Sequence, residues 1–404
     1  MTPPRWQDVA RATGLMGDDG VPRATVFAEM SALAARTGAV NLGQGFPDVD
    51  GPASVAQAAA DAIAAGANQY PPGPGILALR EAVAEHQSSR YGLTWDPDRE
   101  VLVTAGATEA LAATVLALAG PGDEVLTLEP FYDSYAAVVA LAGATHTTAP
   151  LVATTDGFRL DLHALSAAFT PRTRLVLVNT PHNPTGTVLT RDELAAIARL
   201  AVEHDALVVT DEVYEHLVLD GLGARSSVHV PIATLPGMAE RTLTISSAGK
   251  TFSFTGWKVG WATGPRHLVR AVLMAKQFLT FVSGAPFQPA IAAGLRLPDT
   301  FFDAVRDDLR RKRDLVCAGL RDAGFEVFEP QGTYFVTADV RPLGFTDGFQ
   351  LCRELPHRVG VVAIPHPVFY DDVEAGRPLV RFAFCKRDDV LVEAMTRLRS
   401  LRSR

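Results

Sequence analysis

Lysine is rare in this chain, and one lysine occupies an unusual setting. Of 37 basic side chains only five are lysines, at positions 250, 258, 276, 312 and 386. A bias toward GC-rich codons explains most of the arginine excess, but a lysine retained in the apolar, glycine-bearing stretch 244–252 needs a chemical reason. Arginine keeps its proton, whereas a desolvated lysine loses it and can form a Schiff base with an aldehyde. Lys250 is therefore a candidate amine nucleophile.

A carboxylate follows the hydrophobic run 206–210. Asp211 ends this predicted strand, so its side chain is expected to be half buried. A buried carboxylate needs a partner, and a protonated pyridine nitrogen would serve and would make the ring an electron sink. An Asp that caps a helix is the alternative. Glu212 and Glu215 are expected to face solvent or to support the site from behind.

Two further motifs lie where predicted strands end. Residues 104–110 lead from a strand into a helix, and backbone N–H groups at a helix start suit a phosphate, although a plain tight turn has the same pattern. Residues 179–186 contain two X-Pro steps and a glycine, so Asn183 could donate to a ligand oxygen from a rigid loop, unless the loop is only a structural turn. His182 fits packing inside this loop better than a role as a general base.

The surroundings of Lys250 also suit a phosphate. Ser247 and Lys258 are close enough along the chain to flank one. The triplet at 249–251 imitates the end of a nucleotide P-loop, but the required first glycine is replaced by Thr244. The four motifs occur in a fixed order, which is far more specific than any of them alone. Together they indicate pyridoxal phosphate chemistry.

Composition limits the class of protein. The chain has 404 residues, 48% of them hydrophobic and 20% charged, which is typical of a globular protein of two or three domains. The net charge of −8 disfavours broad contact with nucleic acid or an anionic membrane. Three cysteines without C-x-x-C spacing, no secretory pattern and no apolar run long enough for a membrane predict a soluble cytoplasmic protein without a metal.

The middle of the chain alternates strand and helix patterns. Strands are predicted at 101–104, 124–128, 174–178, 206–210 and 242–245, and helices at 107–119, 134–142 and 190–204. Thr190 and Glu193 predict a capping box. The unbroken apolar run 175–178 suits a strand covered on both faces, hence a mostly parallel sheet. Because ligands of such sheets bind at the carboxyl ends of strands, the motifs should converge.

The pattern changes after about residue 290. A helix at 300–321 contains the basic run 310–313, which is expected on a solvated face. Further elements are predicted as strands near 325–328, 333–338, 360–364 and 379–384 and as helices near 347–356 and from 388. We therefore expect a large domain at 46–290 and a smaller α+β domain at 291–404, which the N-terminal segment 1–45 joins.

These motifs resemble the fold-type I pyridoxal-phosphate aminotransferases of class I/II. The resemblance extends from about residue 27 to residue 387 and includes the segments 41–48, 68–75, 129–135 and 381–386. The segments are most similar to the kynurenine/glutamine/methionine aminotransferase branch and, within it, to actinobacterial enzymes assigned as N-succinyldiaminopimelate aminotransferases. The resemblance implies an α/β fold in which a mostly parallel seven-stranded sheet lies between helices, beside a smaller α+β domain.

The resemblance assigns roles around the cofactor. Lys250 would form the Schiff base and move a proton between the substrate α-carbon and the cofactor. Asp211 would pair with the pyridine nitrogen, while Asn183 and Tyr214 would hydrogen-bond the ring hydroxyl oxygen. Tyr132 would stack on the ring. The phosphate would be bound by residues at the helix start and near the nucleophile, which are Gly106, Ala107, Thr108, Ser247 and Lys258.

Substrate and subunit contacts are also implied. Arg381 would clamp the substrate α-carboxylate in a bidentate pair, assisted by the backbone of Gly45. Phe27 is either a wall of the pocket or a core aromatic. Tyr70 would reach the phosphate from the neighbouring subunit of a homodimer. The segment 280–287 has no basic residue where aspartate-type members use a second arginine, so a larger or amphipathic substrate side chain is expected.

The implied activity is reversible transamination by a ping-pong mechanism. Glutamate is the expected amino donor, and a 2-oxo acid or aldehyde is the acceptor, with N-succinyl-2-amino-6-oxopimelate as the best candidate. The alternatives are a kynurenine/glutamine/methionine-type aminotransferase and a cysteine-S-conjugate β-lyase, because one carbanion can also expel a sulfur leaving group. A DNA-binding regulator on this fold is disfavoured, because the segment before Phe27 is too short for a winged helix.

Overall fold

A computed structural model describes residues 4–155, 157–219 and 229–403. Its α-helices are α1 (Arg5–Ala12), α2 (Val26–Thr37), α3 (Ala53–Ala64), α4 (Leu77–Tyr91), α5 (Gly106–Leu118), α6 (Ser134–Ala142), α7 (Leu162–Ala168), α8 (Arg191–Glu203), α9 (Ala248–Thr251), α10 (Arg266–Lys276), α11 (Phe287–Leu295), α12 (Asp299–Ala323), α13 (Gly348–Arg358), α14 (Val373–Gly376) and α15 (Asp388–Arg399). Its strands are β1 (Val40–Asn41), β2 (Val101–Thr104), β3 (Glu124–Glu129), β4 (Thr145–Thr154), β5 (Gly157–Leu160), β6 (Thr173–Asn179), β7 (Leu207–Asp211), β8 (Thr242–Ser247), β9 (Gly260–Thr263), β10 (Glu326–Phe328), β11 (Phe335–Asp339), β12 (Val361–Val362), β13 (Ile364–Pro365) and β14 (Leu379–Ala383).

The large sheet has the strand order β2-β9-β8-β7-β6-β3-β4-β5. Its five central members β8, β7, β6, β3 and β4 pair in parallel, whereas β9 and β5 run antiparallel to their neighbours. The mixed α/β architecture confirms the predicted fold class. The sheet has eight described strands rather than seven, because the short β5 folds back on the end of β4.

The predicted burial of the apolar run in β6 is confirmed. Val176 and Val178 pack into one hydrophobic cluster, and Leu175 and Leu177 pack into another on the opposite face. Helices therefore cover both faces, as a parallel sheet requires. The capping box of α8 is also present, since the Thr190 hydroxyl accepts from the Glu193 N–H and the Glu193 carboxylate accepts from the Thr190 N–H. The chain leaves β6, β7 and β8 at the polar residues Asn179, Asp211 and Ser247.

The C-terminal part is built on a smaller antiparallel sheet of order β10-β11-β14-β13. Segments from both ends of the chain share its core. β1 pairs in parallel with β12, and Met30, Leu33 and Leu42 pack among the buried residues of α12, β14 and α15. Residues 26–42 thus pack with the C-terminal part of the chain.

The edges of the predicted domains differ from the structure. α1 packs against α6 of the large part, where Arg5 Nη1 donates to the Leu141 carbonyl over 3.0 Å, so the first helix does not join the small part. Residues 1–3 lie outside the described residues. α11 packs against α3 and α4, so the small part begins after Leu295 rather than at 291. Both segments bury apolar faces against large-part helices, which chain position alone does not reveal.

The basic run in α12 is solvated only in its first half. Arg311 is exposed, whereas Arg313 is 2% exposed and Lys312 is 6% exposed. Lys312 and Arg313 lie on the helix stripe that also buries Leu309, Val316 and Leu320. Arg313 donates from Nη1 to the carbonyls of Leu219 and Pro330, over 3.3 and 3.4 Å. The expectation was wrong for Arg313 because these backbone acceptors are distant in sequence, and a buried arginine is stable where such acceptors meet it.

No helix within the described residues is both long and apolar enough to cross a membrane.

Candidate active site

The predicted motifs converge on one cavity of about 500 Å³ at the carboxyl ends of β6, β7 and β8. All of the predicted site residues except Tyr70 line it. They are Phe27, Gly45, Gly106, Ala107, Thr108, Tyr132, Asn183, Asp211, Tyr214, Ser247, Lys250, Lys258 and Arg381. The large sheet supplies the floor, and Arg381 on β14 with Phe27 and Gly45 closes the other side from the small part.

Lys250 lies on the single turn α9, directly after β8. Its Nζ has one distant polar contact, 3.5 Å to the carbonyl of Gly45. The same atom lies 5.9 Å from the ring centroid of Tyr214 and 5.8 Å from that of Tyr334. Burial lowers the pKa of Lys250, which favours the neutral amine that a nucleophile requires.

Asp211 is the last residue of β7 and is 5% exposed. Its Oδ2 accepts from the Tyr135 hydroxyl over 2.7 Å, and its Oδ1 accepts from the Val213 N–H over 3.4 Å. Burial raises the pKa of this carboxyl to about 6. Within the described residues it has no ion-pair partner, so an added cation at the cavity floor would be its natural counterpart.

The start of α5 forms a cradle. Gly106 has a φ of 77°, and a Cβ added there would lie 3.3 Å from the Lys258 Nζ. A Cβ added to Gly260 on β9 would lie 2.6 Å from the Gly106 carbonyl carbon, so glycine is needed where this strand approaches the helix. The N–H groups at the helix start, the Lys258 ammonium and the Ser247 hydroxyl thus face one volume, which suits an anion.

Arg381 is 2% exposed and surrounded by aromatic rings. Its Nη1 donates to Asn183 Oδ1 over 2.9 Å, and its Nη2 donates to the Gly43 carbonyl over 3.1 Å. Its Cζ lies 4.0 Å from the Phe335 ring centroid and 5.5 Å from that of Phe27. Burial lowers the pKa of the guanidinium to about 10. The Nε atom is buried without a hydrogen-bond partner, so a donor remains for a ligand.

The loop after β6 holds Asn183 in a fixed orientation. The Asn183 N–H donates to Asn179 Oδ1 over 2.7 Å, and its side-chain oxygen is taken by Arg381. Its amide nitrogen therefore remains as a donor on the cavity side. His182 is 1% exposed, and its Nδ1 lies 2.8 Å from the Thr185 hydroxyl. Burial lowers the pKa of His182 to about 3, so packing inside the loop accounts for it.

Glu212 and Glu215 are buried behind Asp211, which excludes the solvent-facing alternative for both. Glu212 Oε2 lies 2.7 Å from His229 Nε2. Glu215 accepts from the hydroxyls of Tyr91 and Ser246, each over 2.8 Å. Through these contacts, the two carboxylates help to fix the turn that follows β7.

Sequence reasoning missed several residues of the site. Tyr135 donates to Asp211, Asn179 orients Asn183, and the Tyr334 hydroxyl donates to the Gly45 carbonyl over 2.7 Å. Tyr135 lies within the segment 129–135 that carries the resemblance, and Asn179 is the first residue of the loop that contains Asn183. Both residues could therefore have been found from the sequence motifs. Tyr334 lies in a segment that no motif marked.

Tyr70 stands apart from the cavity. Its side chain is 82% exposed, and its ring lies 5.6 Å from that of Phe281. Phe278 is also 82% exposed, and Met274, Leu279 and Phe281 are about half exposed. An exposed group of large apolar side chains of this kind is typical of a surface that another protein covers.

Comparison with known proteins agrees with this geometry. The family model for aminotransferase class I and II matches residues 37–398. A probable N-succinyldiaminopimelate aminotransferase of Mycobacterium tuberculosis is 56% identical over 388 residues, which cover 94% of this chain and 96% of the relative. The methionine aminotransferase of Escherichia coli is 40% identical over 377 residues, which cover 93% and 96%.

Solved structures give the same result. The structure of N-succinyldiaminopimelate aminotransferase from Mycobacterium tuberculosis matches with a TM-score of 0.92 at 55% identity, over 99% of this chain and 100% of that one. The Escherichia coli methionine aminotransferase structure matches with a TM-score of 0.88 over 93% of this chain and 97% of the other. The chain therefore belongs to the class I and II aminotransferases, a family of enzymes that use pyridoxal 5′-phosphate and act on amino acids and oxo acids.

Proposed function

We propose that this enzyme transfers an amino group from glutamate to N-succinyl-2-amino-6-oxopimelate by a ping-pong mechanism. The identity of 56% to the Mycobacterium tuberculosis relative supports this choice of acceptor. The observation that carries the chemistry is the joint placement of Lys250, Asp211 and Arg381 around one cavity, each with an unfilled polar atom or charge. The enzyme's own residues then divide into those that hold the cofactor and those that hold the substrate.

The cavity fits pyridoxal phosphate. When bound, this cofactor supplies an aldehyde for an amine and a pyridine ring that withdraws electrons. The Asp211 carboxylate, buried without a cation, is the partner for the protonated ring nitrogen. The Asn183 amide and the Tyr214 hydroxyl are donors for the ring hydroxyl oxygen, and Tyr132 lies at the wall where it can stack. The phosphate site is proposed at Gly106, Ala107, Thr108, Ser247 and Lys258.

Lys250 is proposed as the group that attaches to the aldehyde and, once released, transfers protons. Its weakly bonded amine and its lowered pKa keep a fraction neutral, and a neutral amine can remove a proton from the substrate α-carbon. Tyr214 and Tyr334 flank the amine and limit its swing. The Gly45 carbonyl is the hydrogen-bond acceptor for the free amine.

Arg381 is proposed to bind the substrate α-carboxylate. Two of its five N–H donors are used by Asn183 and Gly43, so the second N–H of each Nη and the unpartnered Nε–H remain for a carboxylate. The planar guanidinium matches a carboxylate better than an ammonium does. Phe27 and Phe335 stack on the guanidinium and keep water from it, and Gly45 leaves room for the carboxylate.

The distal end of the substrate meets no second arginine. Within the described residues, the positively charged side chains that line the cavity are Lys250, Lys258 and Arg381. A site for the second carboxylate of aspartate would need another cation. We therefore propose that the pocket is not dedicated to aspartate and accepts a long side chain with apolar and polar parts, and that glutamate donates its amino group after the pocket rearranges.

We propose a homodimer in which Tyr70 of each subunit contacts the phosphate of the other. Its high exposure and its place beside Phe278 and Phe281 support this assignment, because a tyrosine there has little to pack against within its own chain. We also propose two domains, a large one from Phe46 to about Leu295 and a small one that combines residues 26–45 with the C-terminal part.

A stopped-flow panel tests the substrate assignment. The holoenzyme is mixed with glutamate, methionine, kynurenine, glutamine and N-succinyldiaminopimelate, and the absorbance of the bound cofactor is followed. Glutamate and N-succinyldiaminopimelate are expected to convert the cofactor to its amino form faster than the other three. A panel in which methionine or kynurenine exceeds both by tenfold would contradict the proposed acceptor.

Methionine is the second candidate amino donor. The 40% identity to the Escherichia coli methionine aminotransferase and the absence of a distal cation favour it. A comparison of two kcat/KM values ranks the two candidate donors. One is measured for glutamate with N-succinyl-2-amino-6-oxopimelate as acceptor, and the other for methionine with 2-oxo acids as acceptors.

A further inference from the structure

A second polar cluster lies behind the cavity, between α4 and the turn that follows β7. It contains His86 on α4 and the consecutive residues Glu215 and His216. One side-chain ligand atom from each lies within 4.8 Å of the others. His86 Nε2 and His216 Nε2 are 2.9 Å apart. Because positions 86, 215 and 216 follow no metal-binding motif, the sequence alone predicts no metal here.

The two imidazoles are hydrogen-bonded to each other, so one Nε2 donates its hydrogen to the lone pair of the other. A metal ion between them would take the place of that hydrogen, which would move to the other nitrogen of the donor ring. The His86 ring also hydrogen-bonds the backbone of Leu295. A second hydrogen bond of this kind fixes the tautomer of metal-binding histidines and aims the other nitrogen at the ion.

Within the described residues, the carboxylate beside them has no ion-pair partner. Glu215 is 5% exposed, and its hydrogen-bond donors are the hydroxyls of Tyr91 and Ser246. The imidazole of His229 lies against the second buried carboxyl group, Glu212, with 2.7 Å between His229 Nε2 and Glu212 Oε2. Within the described residues, Glu212 Oε1 is buried without a hydrogen-bond partner.

Arg90 lies near the cluster, but its charge is paired with a residue outside it. Arg90 pairs with Asp299 over 2.8 Å and stacks on the Phe302 ring, with its Cζ 4.2 Å from the centroid. Phe302 covers the cluster, since its centroid lies 5.7 Å from that of His86 and 4.5 Å from that of His216. An apolar cover strengthens the attraction between a buried carboxylate and a cation.

We propose that His86, His216 and Glu215 bind one divalent transition-metal ion, with Zn²⁺ the ion that fits best. Two histidines and one glutamate with a fourth position for water form a recognised zinc ligand set. Zinc–nitrogen bonds of about 2.0–2.1 Å at a tetrahedral angle place the two nitrogens roughly 3.3 Å apart. The 2.9 Å separation therefore needs only a small rotation of the rings.

The ion joins α4 to the segment that holds the cofactor site. His216 and Glu215 follow Tyr214 directly, and Asp211 begins the same turn. His216 is the least buried of the three ligands, so it marks the route of entry. The site is separate from the cavity, whose lining includes none of the three residues.

Metal binding to the full-length holoenzyme tests the proposal. The protein is stripped with EDTA, dialysed and titrated with Zn²⁺ by calorimetry, and a parallel sample is titrated with Co²⁺ and followed by visible absorbance. One ion per chain with a Kd of roughly 1 µM or tighter is expected. The Co²⁺ bands should have the intensity of a four-coordinate site. No stoichiometric binding to the wild type would overturn the proposal.

Three variants locate the ion. His216→Gln and Glu215→Gln are each expected to weaken Zn²⁺ binding at least about tenfold, because each removes one direct ligand. His163→Gln, on the exposed face of α7, is the matched control and should bind as the wild type does. Binding that survives in both ligand variants places the ion elsewhere and overturns the proposal.

A thermal readout covers variants that are less stable. Zn²⁺ raises the Tm of the wild type and of His163→Gln because it binds only the folded chain. The same addition should leave the Tm of His216→Gln unchanged, whatever its starting value. An equal rise in His216→Gln counts against the site even if the variant is too unstable for calorimetry.

Discussion

Two lysines of the molecule have different surroundings. Lys276, at the end of α10, is 2% exposed, and its Nζ donates to the carbonyls of Gly73 and Phe281 over 2.8 and 2.7 Å. Lys250, beside the cavity, has a single contact of 3.5 Å with the Gly45 carbonyl. Burial lowers the pKa of both amines. Lys250 is partly exposed to the cavity whereas Lys276 is buried, and the two amines also differ in the number of filled hydrogen bonds.

Two arginines show the same difference. Arg313 and Arg381 are each 2% exposed. Arg313 bonds the carbonyls of Leu219 and Pro330 and pairs with Asp314 over 2.7 Å, whereas Arg381 keeps a buried Nε without a partner. A buried polar atom left unpaired costs about 1–3 kcal/mol. Within the described residues, the Arg381 Nε is the one such atom that belongs to a residue lining the cavity, while others, such as Trp95 Nε1, lie outside it. An unfilled donor therefore points to a ligand where a cavity lies beside it.

The strongest test of this contrast is Lys250→Arg. The variant keeps the positive charge but cannot attach to an aldehyde or shuttle a proton, because arginine stays protonated. The rate of transamination is expected to fall by at least about 10³-fold, and borohydride should no longer fix the cofactor to peptide 244–252. Single-turnover kinetics and peptide mass mapping measure the two effects. A tag recovered on another lysine would overturn the assignment.

The second test concerns Asp211 in cofactor-free protein. Burial raises the pKa of this carboxyl to about 6, above the usual range of an aspartate, so the folded state favours its neutral form. Its contribution to stability is complete below about pH 4 and is lost as the pH rises through 6. Two pKa units correspond to about 3 kcal/mol. Asp211→Asn is neutral throughout and should remove this part of the pH dependence.

Denaturant unfolding between pH 4 and 7 measures the effect. Glu129, Asp133 and Glu215 also have pKa values raised by burial, so the informative quantity is the difference between wild type and Asp211→Asn at each pH. The exposed Glu240→Gln serves as the control. A difference that stays constant from pH 4 to pH 7 would show that Asp211 is not desolvated as its setting indicates.

The third test is Arg381→Lys. An ammonium cannot replace the fork that donates to Asn183, to Gly43 and to a substrate carboxylate at once. We expect kcat/KM for glutamate to fall by about 100-fold, which is close to 2.7 kcal/mol, chiefly through KM. Arg313→Lys is the matched control, because it should lower the Tm while KM stays unchanged. Equal KM effects in both variants would erase the distinction between filled and unfilled donors.

Sequence reasoning identified the unfilled groups well. Lys250, Asp211 and Asn183 each follow a strand of the parallel sheet, and the carboxyl ends of such strands meet at one edge, so their convergence follows from topology. Arg381 was identified only through the resemblance, since its residue type alone does not separate a carboxylate clamp from a structural arginine. The cavity confirms that these groups are close together.

The filled groups were harder to predict. Arg313 lies in a run of four basic residues, and its acceptors Leu219 and Pro330 are 94 and 17 positions away. Glu212 was equally ambiguous, because its partner His229 is a separate histidine with no motif around it. The strand β9 was not among the predicted strands. It has only four residues and begins with Gly260, so its sequence shows no alternation of apolar and polar side chains. Local pattern carries no information about partners that tertiary structure supplies.

The smallest expected effect is that of Lys276→Met, which removes both filled hydrogen bonds but keeps the apolar stem. Two carbonyls lose their donor, so the free energy of unfolding should fall by about 2 kcal/mol. Because this amine is not in the cavity, kcat per folded enzyme should change less than about twofold. Denaturant unfolding and active-site titration measure the two quantities. Gly73 lies near Tyr70 in sequence, so a loss of cofactor affinity without a loss of stability would instead assign Lys276 to positioning the dimer contact.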